Sequence, residues 1–449
     1  MVASNRRLPL SGADVCLLAL DRHMVRGPGL RGTSRVRTGR NIVQLVVECQ
    51  GTLPQERIDA AIARFVEYAP WPLARLRRAF PWSAPFWEAP ATPQAAPRVT
   101  MHEIGSGDAP LQEVLEQRLN TPLDPHAGTP VRFDVIDQGK TSHFVQTWFH
   151  PLMDPRGAET LTLHLNHLDE NAQVADPWPD GVPSFVPPPQ AGTRLERLRL
   201  ASKGRRYLDS FRATPPTSPG GHATRSQAQS FRFKRCSFRD SGTASRAQKE
   251  MTWRLALVGR ILRRVWQRHG IPEVPYLLPV SVDLRKKGEA GPVFSNHLSL
   301  HFPQFDPNAE IDAINNELRK QMFESLRHGQ LEATRAAMNF IRPLPLPLLA
   351  WRMALSSRGE LCSFNFADTG EYSGATETLF GCPIVNSYHL PTVTPKPGIG
   401  IFLNSCGQNQ NIVVTWLDGI VGADEIDDLI AEIGKGLGWV PQPVGEHVQ

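Results

Sequence analysis

Apolar positions along this chain follow two periods, and segments of one alternate with segments of the other. Residues 42–49 are almost continuously apolar and β-branched, which predicts a strand. Ile58, Ala61, Ile62, Phe65 and Val66 then recur at helical spacing and predict a helix over 55–68. The alternation continues with a strand at 99–104, a helix at 111–119 and an alternating strand at 131–136. Asp137, Gln138, Gly139 and Lys140 have hairpin-turn composition, so 143–149 is expected to pair back as the next strand. A loop over 150–157 leads to a helix at 158–168, and a strongly basic helix is expected over 195–211.

The second half repeats the rhythm. Strands are predicted at 230–238, 276–284, 296–302, 362–366, 399–404 and 411–416, with helices at 243–269, 311–326, 344–355 and 424–437. Residues 22–40 and 176–189 read as loops, and the prolines between 70 and 97 forbid long regular elements there. Residues 212–229, rich in Pro, Ser, Thr and Gly, read as a linker. The expected organisation is an α/β protein with mixed sheets. An N-terminal lobe at 1–211 and a C-terminal lobe at 230–449 flank the linker. A length of 449 residues is enough for two such lobes.

Composition removes several function classes. No run of 18 apolar residues exists, so no membrane span is expected. Arg6 and Arg7 precede an apolar run at 15–20, but it stops at Asp21 without a small-residue cleavage site, so no signal peptide is expected. The six cysteines are scattered with no C-x-x-C pair, which suits neither zinc nor a disulfide framework; reduced thiols and a cytoplasmic location are expected. The net charge is +5, and the arginines cluster at 22–40, 194–206 and 225–239. Those clusters are either solvated surface or contacts for a phosphate-bearing ligand. Nucleic acid is not expected, because no matching motif accompanies them.

The chemistry-bearing stretch is the end of the strand at 143–149. It runs into His150, and Asp154 follows four residues later between Pro151 and Pro155. An imidazole titrates near pH 6.5 when unperturbed, so one delivered to a sheet edge can act as a general base. The prolines make 150–157 a loop, so the spacing alone does not pair Asp154 with His150. An ion pair pinning the loop is one alternative, and a plain strand-end histidine with a turn aspartate is another. No G-x-S-x-G elbow, phosphate loop or dinucleotide loop occurs. His164 and His167, three apart on a predicted helix, lack an acidic partner pattern and read as packing, so no metal site is expected. Asn296 and His297 read as the start of a strand.

Several short stretches, in order, resemble the superfamily of condensation domains and CoA-dependent acyltransferases. The family's H-H-x-x-x-D-G motif is similar to Phe149-His150-Pro151-Leu152-Met153-Asp154-Pro155, and its upstream strand to Thr129-Pro130-Val131-Arg132-Phe133. Its P-V-S-x-R strand is similar to Pro279-Val280-Ser281-Val282-Asp283-Leu284-Arg285. The C-terminal stretches resemble Ser363-Phe364-Asn365-Phe366, Pro397-Gly398-Ile399-Gly400-Ile401 and Asn404-Ser405. Phe149 stands where the family often has a first histidine. Pro155 replaces its glycine, and Gly157 is expected to supply the turn. The D-F-G-W-G motif of the plant branch is absent.

The resemblance implies two similar chloramphenicol-acetyltransferase-like lobes with an active-site tunnel between them. It implies an acyltransferase that moves an acyl group from a thioester to a hydroxyl or amine. His150 would be the base, and Asp154 would hold the loop through Arg285. Asn365, Asn404 and Ser405 are candidates for stabilising the oxyanion or contacting substrate. No bound cofactor is implied: acyl-coenzyme A, or the phosphopantetheine thioester of an acyl- or peptidyl-carrier protein, would be a substrate. Phe149 and Pro155 leave a second class open, a non-catalytic condensation-like module that engages a carrier protein or other partner.

Overall fold

The computed structural model describes residues 7–26, 41–90, 95–171, 192–211, 215–222, 230–242, 245, 247–286, 289, 291–356, 359–372 and 377–442. The loop expected at 176–189 lies outside these residues, as do 27–40 and most of the linker expected at 212–229.

The first half contains β1 (Arg7–Pro9), α1 (Gly12–Arg26), β2 (Ile42–Gln50), α2 (Gln55–Tyr68), β3 (Arg75–Arg77), β4 (Phe86–Glu88) and β5 (Thr100–Glu103). It continues with α3 (Asp108–Asn120), β6 (Val131–Asp137), β7 (Thr141–Phe149), α4 (Pro155–Glu170) and α5 (Arg194–Ser210). Helix α2 buries the stripe Ile58, Ala61, Ile62, Phe65 and Val66, the face its spacing defines. Helix α4 starts at Pro155, inside the stretch expected to be loop. Proline at the first helical position loses no hydrogen bond, and Asp154 caps the helix by accepting from the Gly157 N–H at 2.8 Å. Helix α1 was not expected as a helix, because Asp14, Asp21 and Arg22 interrupt its apolar pattern.

The second half begins with α6 (Pro219–His222), β8 (Phe231–Asp240), α7 (Met251–Arg268), β9 (Tyr276–Leu277), β10 (Val280–Asp283), β11 (Leu298–His301) and β12 (Gln304–Phe305). Then come α8 (Ile311–Arg327), α9 (Gln330–Phe340), α10 (Leu346–Ser356), β13 (Asn365–Glu371), β14 (Thr378–Leu379) and β15 (Cys382–Pro391). The remaining elements are β16 (Ile399–Cys406), β17 (Asn409–Leu417), α11 (Ala423–Gly436) and β18 (Trp439–Pro441). The single strand expected at 276–284 is two strands, broken at Leu278–Pro279, where proline offers no amide to a ladder. Helix α9 and strand β15 fall where no element was expected.

Two mixed sheets dominate. One has six strands in the order β14-β15-β2-β7-β6-β5, and the other has five in the order β13-β16-β17-β8-β18. Each is antiparallel except for one parallel pair, β5 with β6 and β13 with β16. Strand β15 comes from the second half of the chain yet pairs along β2, with His389 opposite Leu45 and Pro391 opposite Val43. Val46, Val145 and Tyr388 of the first sheet share a buried cluster with Phe233 and Val413 of the second. At the same seam the Asn386 and Asn411 side-chain amides donate to each other, at 3.0 and 2.9 Å. The architecture is the mixed α/β one expected. Among the described residues, no helix is long and apolar enough to cross a membrane.

Candidate active site

His150 leaves the end of β7 in a single 3₁₀ turn, and its backbone N–H donates to the Asn41 carbonyl at 3.0 Å. The carbonyls that follow all have donors. His150 O accepts from Asn296 Nδ2 at 2.9 Å, Pro151 O from Trp87 Nε1 at 3.4 Å, Leu152 O from the Ser295 N–H at 2.7 Å, and Met153 O from Trp148 Nε1 at 2.8 Å. A loop whose main chain is tied at each step holds its side chain in a defined place without help from the ligand.

Asp154 is buried and fully engaged. Arg285 grips it with both ends of the guanidinium, Nη1 to Oδ2 and Nη2 to Oδ1, each at 3.0 Å. The His297 N–H adds a bond to Oδ2 at 2.9 Å, beside the Gly157 bond to Oδ1. Arg285 also donates to Pro292 O at 2.8 Å and to Asp283 at 3.1 Å. Every lone pair that a carboxylate could turn toward a substrate is spent on these donors. Asp154 therefore fixes where the His150 loop meets the second half of the chain.

Gly157 lies in the first turn of α4 instead of forming a turn of its own. A Cβ there would sit 2.1 Å from the Val293 carbonyl oxygen, so its work is close approach between helix and loop. Phe149 is wholly buried and meets Trp87 edge-on, with centroids 6.3 Å apart. The residue before His150 is thus core. Both departures from the family motif, Phe149 and Pro155, occupy positions where they serve packing and helix initiation.

His150 and Asp154 line a cavity of about 1290 Å³ whose walls come from both halves of the chain. Burial holds the His150 imidazole below its usual pKa, although its own carbonyl, Asp154 and the Met153 carbonyl favour the cation. The ring is therefore neutral at physiological pH and keeps a lone pair. Cys16 also faces the cavity, but burial pushes its thiol up to about 12, so it stays protonated. Among the described residues, no cluster of His, Cys, Asp and Glu is arranged to hold a metal.

The other sequence candidates separate. Asn365 lines the cavity at the start of β13. Asn404 lines it too, but one of its amide hydrogens goes to the Ser387 carbonyl at 2.7 Å. Ser405, next on β16, is not among the described residues lining the cavity. Its hydroxyl donates to Glu371 at 2.7 Å, which removes it as an oxyanion candidate. Of the basic stretch at 225–239, residues 225–229 lie outside the described ones. Arg232, Lys234 and Arg235 pair with Glu116, Asp427 and Glu48, which leaves them little to offer a phosphate. The arginines of α5 remain exposed.

Three residues of the site escaped the sequence. Asp14 of α1 is buried and accepts from the Ser11 N–H at 2.6 Å and from the Asn296 N–H and Nδ2 at 2.9 and 2.8 Å. Burial pushes its carboxyl above the usual range against those hydrogen bonds. Asn296, read as the start of a strand, thus bridges α1 to the His150 carbonyl. His389 of β15 lines the cavity with Glu159 3.6 Å behind it, and Glu159 in turn takes a 2.7 Å bond from Arg156. An aspartate directly before the apolar run at 15–20 was the only hint of Asp14.

No family model matches the sequence, and no curated protein matches it. Solved structures do. The trichothecene 15-O-acetyltransferase of Fusarium sporotrichioides superposes with a TM-score of 0.65 at 10% identity, covering 96% of this chain and 95% of that one. The first condensation domain of the calcium-dependent antibiotic synthetase gives 0.63 at 13% identity, with 96% and 95% covered. The condensation domain of the Monacolin K polyketide synthase gives 0.62 at 14%, with 96% and 97% covered. The chain thus has the fold of condensation domains and of this acetyltransferase.

Proposed function

We propose that the chain is an acyltransferase that moves an acyl group from a thioester to a hydroxyl or amine. The carrying observation is a neutral, cavity-lining imidazole on a loop tied at every carbonyl, beside an aspartate wholly engaged by Arg285, His297 and Gly157. Nε2 of His150 takes the proton of the acceptor as its oxygen or nitrogen attacks the thioester carbonyl. When the C–S bond breaks, the same nitrogen returns the proton to the departing thiolate. Asp154 holds the loop and takes no proton. Of the three sequence candidates, the Asn365 amide is the one we assign to the oxyanion, since Asn404 is partly committed and Ser405 donates to Glu371.

The donor is acyl-coenzyme A or an acyl group on a carrier protein's phosphopantetheine arm, and the exposed arginines of α5 suit the phosphate of either. A purely binding role rests on Phe149 and Pro155; Phe149 is buried in the core, and Pro155 lines the cavity while starting α4. Free-thiol release from acyl-coenzyme A and acyl-carrier donors, each with alcohol and amine acceptors, tests the reading. Turnover with at least one pair, lowered about a hundredfold or more in a folded His150→Ala protein, is expected. Unchanged turnover in that variant would overturn the assignment of His150.

A further inference from the structure

The cavity around His150 is larger than transfer of a small acyl group requires. Drug-sized ligands occupy roughly 300–1,000 Å³, and this space is about 1290 Å³. Its polarity is also uneven. Strands β13, β15 and β16 line it with Asn365, Asp368, His389 and Asn404. The helices and β11 contribute mainly apolar lining, with Leu20 of α1, Leu198 of α5, Leu300 of β11, Ala337 of α9 and Met353 of α10, although Arg205 of α5, Thr334 of α9 and Arg352 of α10 also face the space.

These helices close over the space tightly. A Cβ at Gly204 would stand 2.0 Å from the Ala333 carbonyl, so α5 lies directly on α9 with no side chain between them. Apolar lining also meets water, since Leu198 is 50% and Phe340 63% exposed, although the exposed Arg205 and Arg352 line the cavity as well. An exposed leucine and phenylalanine lining a mainly apolar chamber gain from an apolar ligand and offer a polar one nothing.

We infer that this chamber is a binding subsite for a large apolar group, a long alkyl chain, carried by one of the two substrates. The inference rests on the acyl-transfer reading only for which substrate brings the group: the acyl chain of the thioester or the body of the acceptor. Strands β13, β15 and β16 provide amide and imidazole groups for the polar parts of either substrate.

Binding of each substrate alone tests this without turnover. Straight-chain acyl-coenzyme A thioesters from acetyl to palmitoyl, and primary alcohols from ethanol to hexadecanol, are titrated calorimetrically against the intact chain. Affinity in one series or both should climb about three- to fourfold per methylene until the chamber is full. A climb with the thioesters assigns the chamber to the acyl chain, and a climb with the alcohols assigns it to the acceptor. Ala337→Phe on α9 and Ala201→Phe on α5 narrow the chamber from two sides, and thermal melting reports whether each is folded. A folded variant should lose tenfold or more in affinity for the longest ligand and keep that for the shortest. Flat affinity in both series, or long-chain binding unchanged in both folded variants, overturns the inference. Long chains that bind but are never transferred would instead sink the acyl-transfer reading and leave the chamber standing.

Discussion

Two of the places where the second half of the chain meets the first are built by different physics. Strand β15 enters by its backbone, laying a ladder from Ile384 to Pro391 along β2. The loop at 150–157 is met instead by side chains, Arg285 on Asp154 and Asn296 on the His150 carbonyl. A ladder spreads its stability over many similar bonds, so no single side chain is indispensable. A buried ion pair concentrates it on two groups, each costly to leave without the other. The histidine proposed for catalysis sits at the second kind of junction, where placement is sharpest and tolerance lowest.

The comparison can be broken at several points. His150→Ala should lower turnover about 10²- to 10⁴-fold in thiol-release assays, with a melting temperature close to the parent's, because its carbonyl rather than its ring holds the loop. Arg285→Ala strands the Asp154 carboxylate and should cost about 3–5 kcal/mol in urea unfolding. A loss below about 1 kcal/mol would mean that the side-chain junction is as forgiving as a surface ion pair. Gly157→Ala drives a methyl group into the Val293 carbonyl and should cost about 1–3 kcal/mol, with a fall in turnover as the loop shifts. Asn386→Ala at the ladder junction removes the paired amides with Asn411 and should cost about 1–2 kcal/mol, leaving turnover nearly unchanged.

The smallest effect concerns pH. A base works unprotonated, and burial lowers the His150 pKa, so the acid limb of kcat/KM should lie below the ordinary histidine value near 6.5. A limb at or above that value would mean the imidazole is not held in a desolvated site.

Much of this was legible in the sequence where one period dominates. The stripe of α2 and the apolar run of β2 need nothing beyond their own residues. Strand β15 was not legible, because Asn386, Ser387 and His389 hold three of its five buried positions, so it lacks the apolar pattern of a buried strand. Helix α9 has no capping side chain to announce it. At the site, His150, Asp154 and Arg285 could be read from a motif because their spacing is local or their strand is distinctive. Asp14 and Asn296 meet only through tertiary packing, 282 residues apart, and neither carries a local pattern.

The crossing strand also sets a timetable for synthesis. Until β15 emerges from the ribosome, β2 is an uncovered edge of nine residues, eight of them buried in the finished sheet. About 340 residues separate the two strands, and at the usual 5–20 residues per second that edge waits roughly twenty to seventy seconds for its partner. A chaperone that shields extended apolar segments during translation would be needed most in that interval, and halves of the chain expressed separately should recover the fold only when mixed.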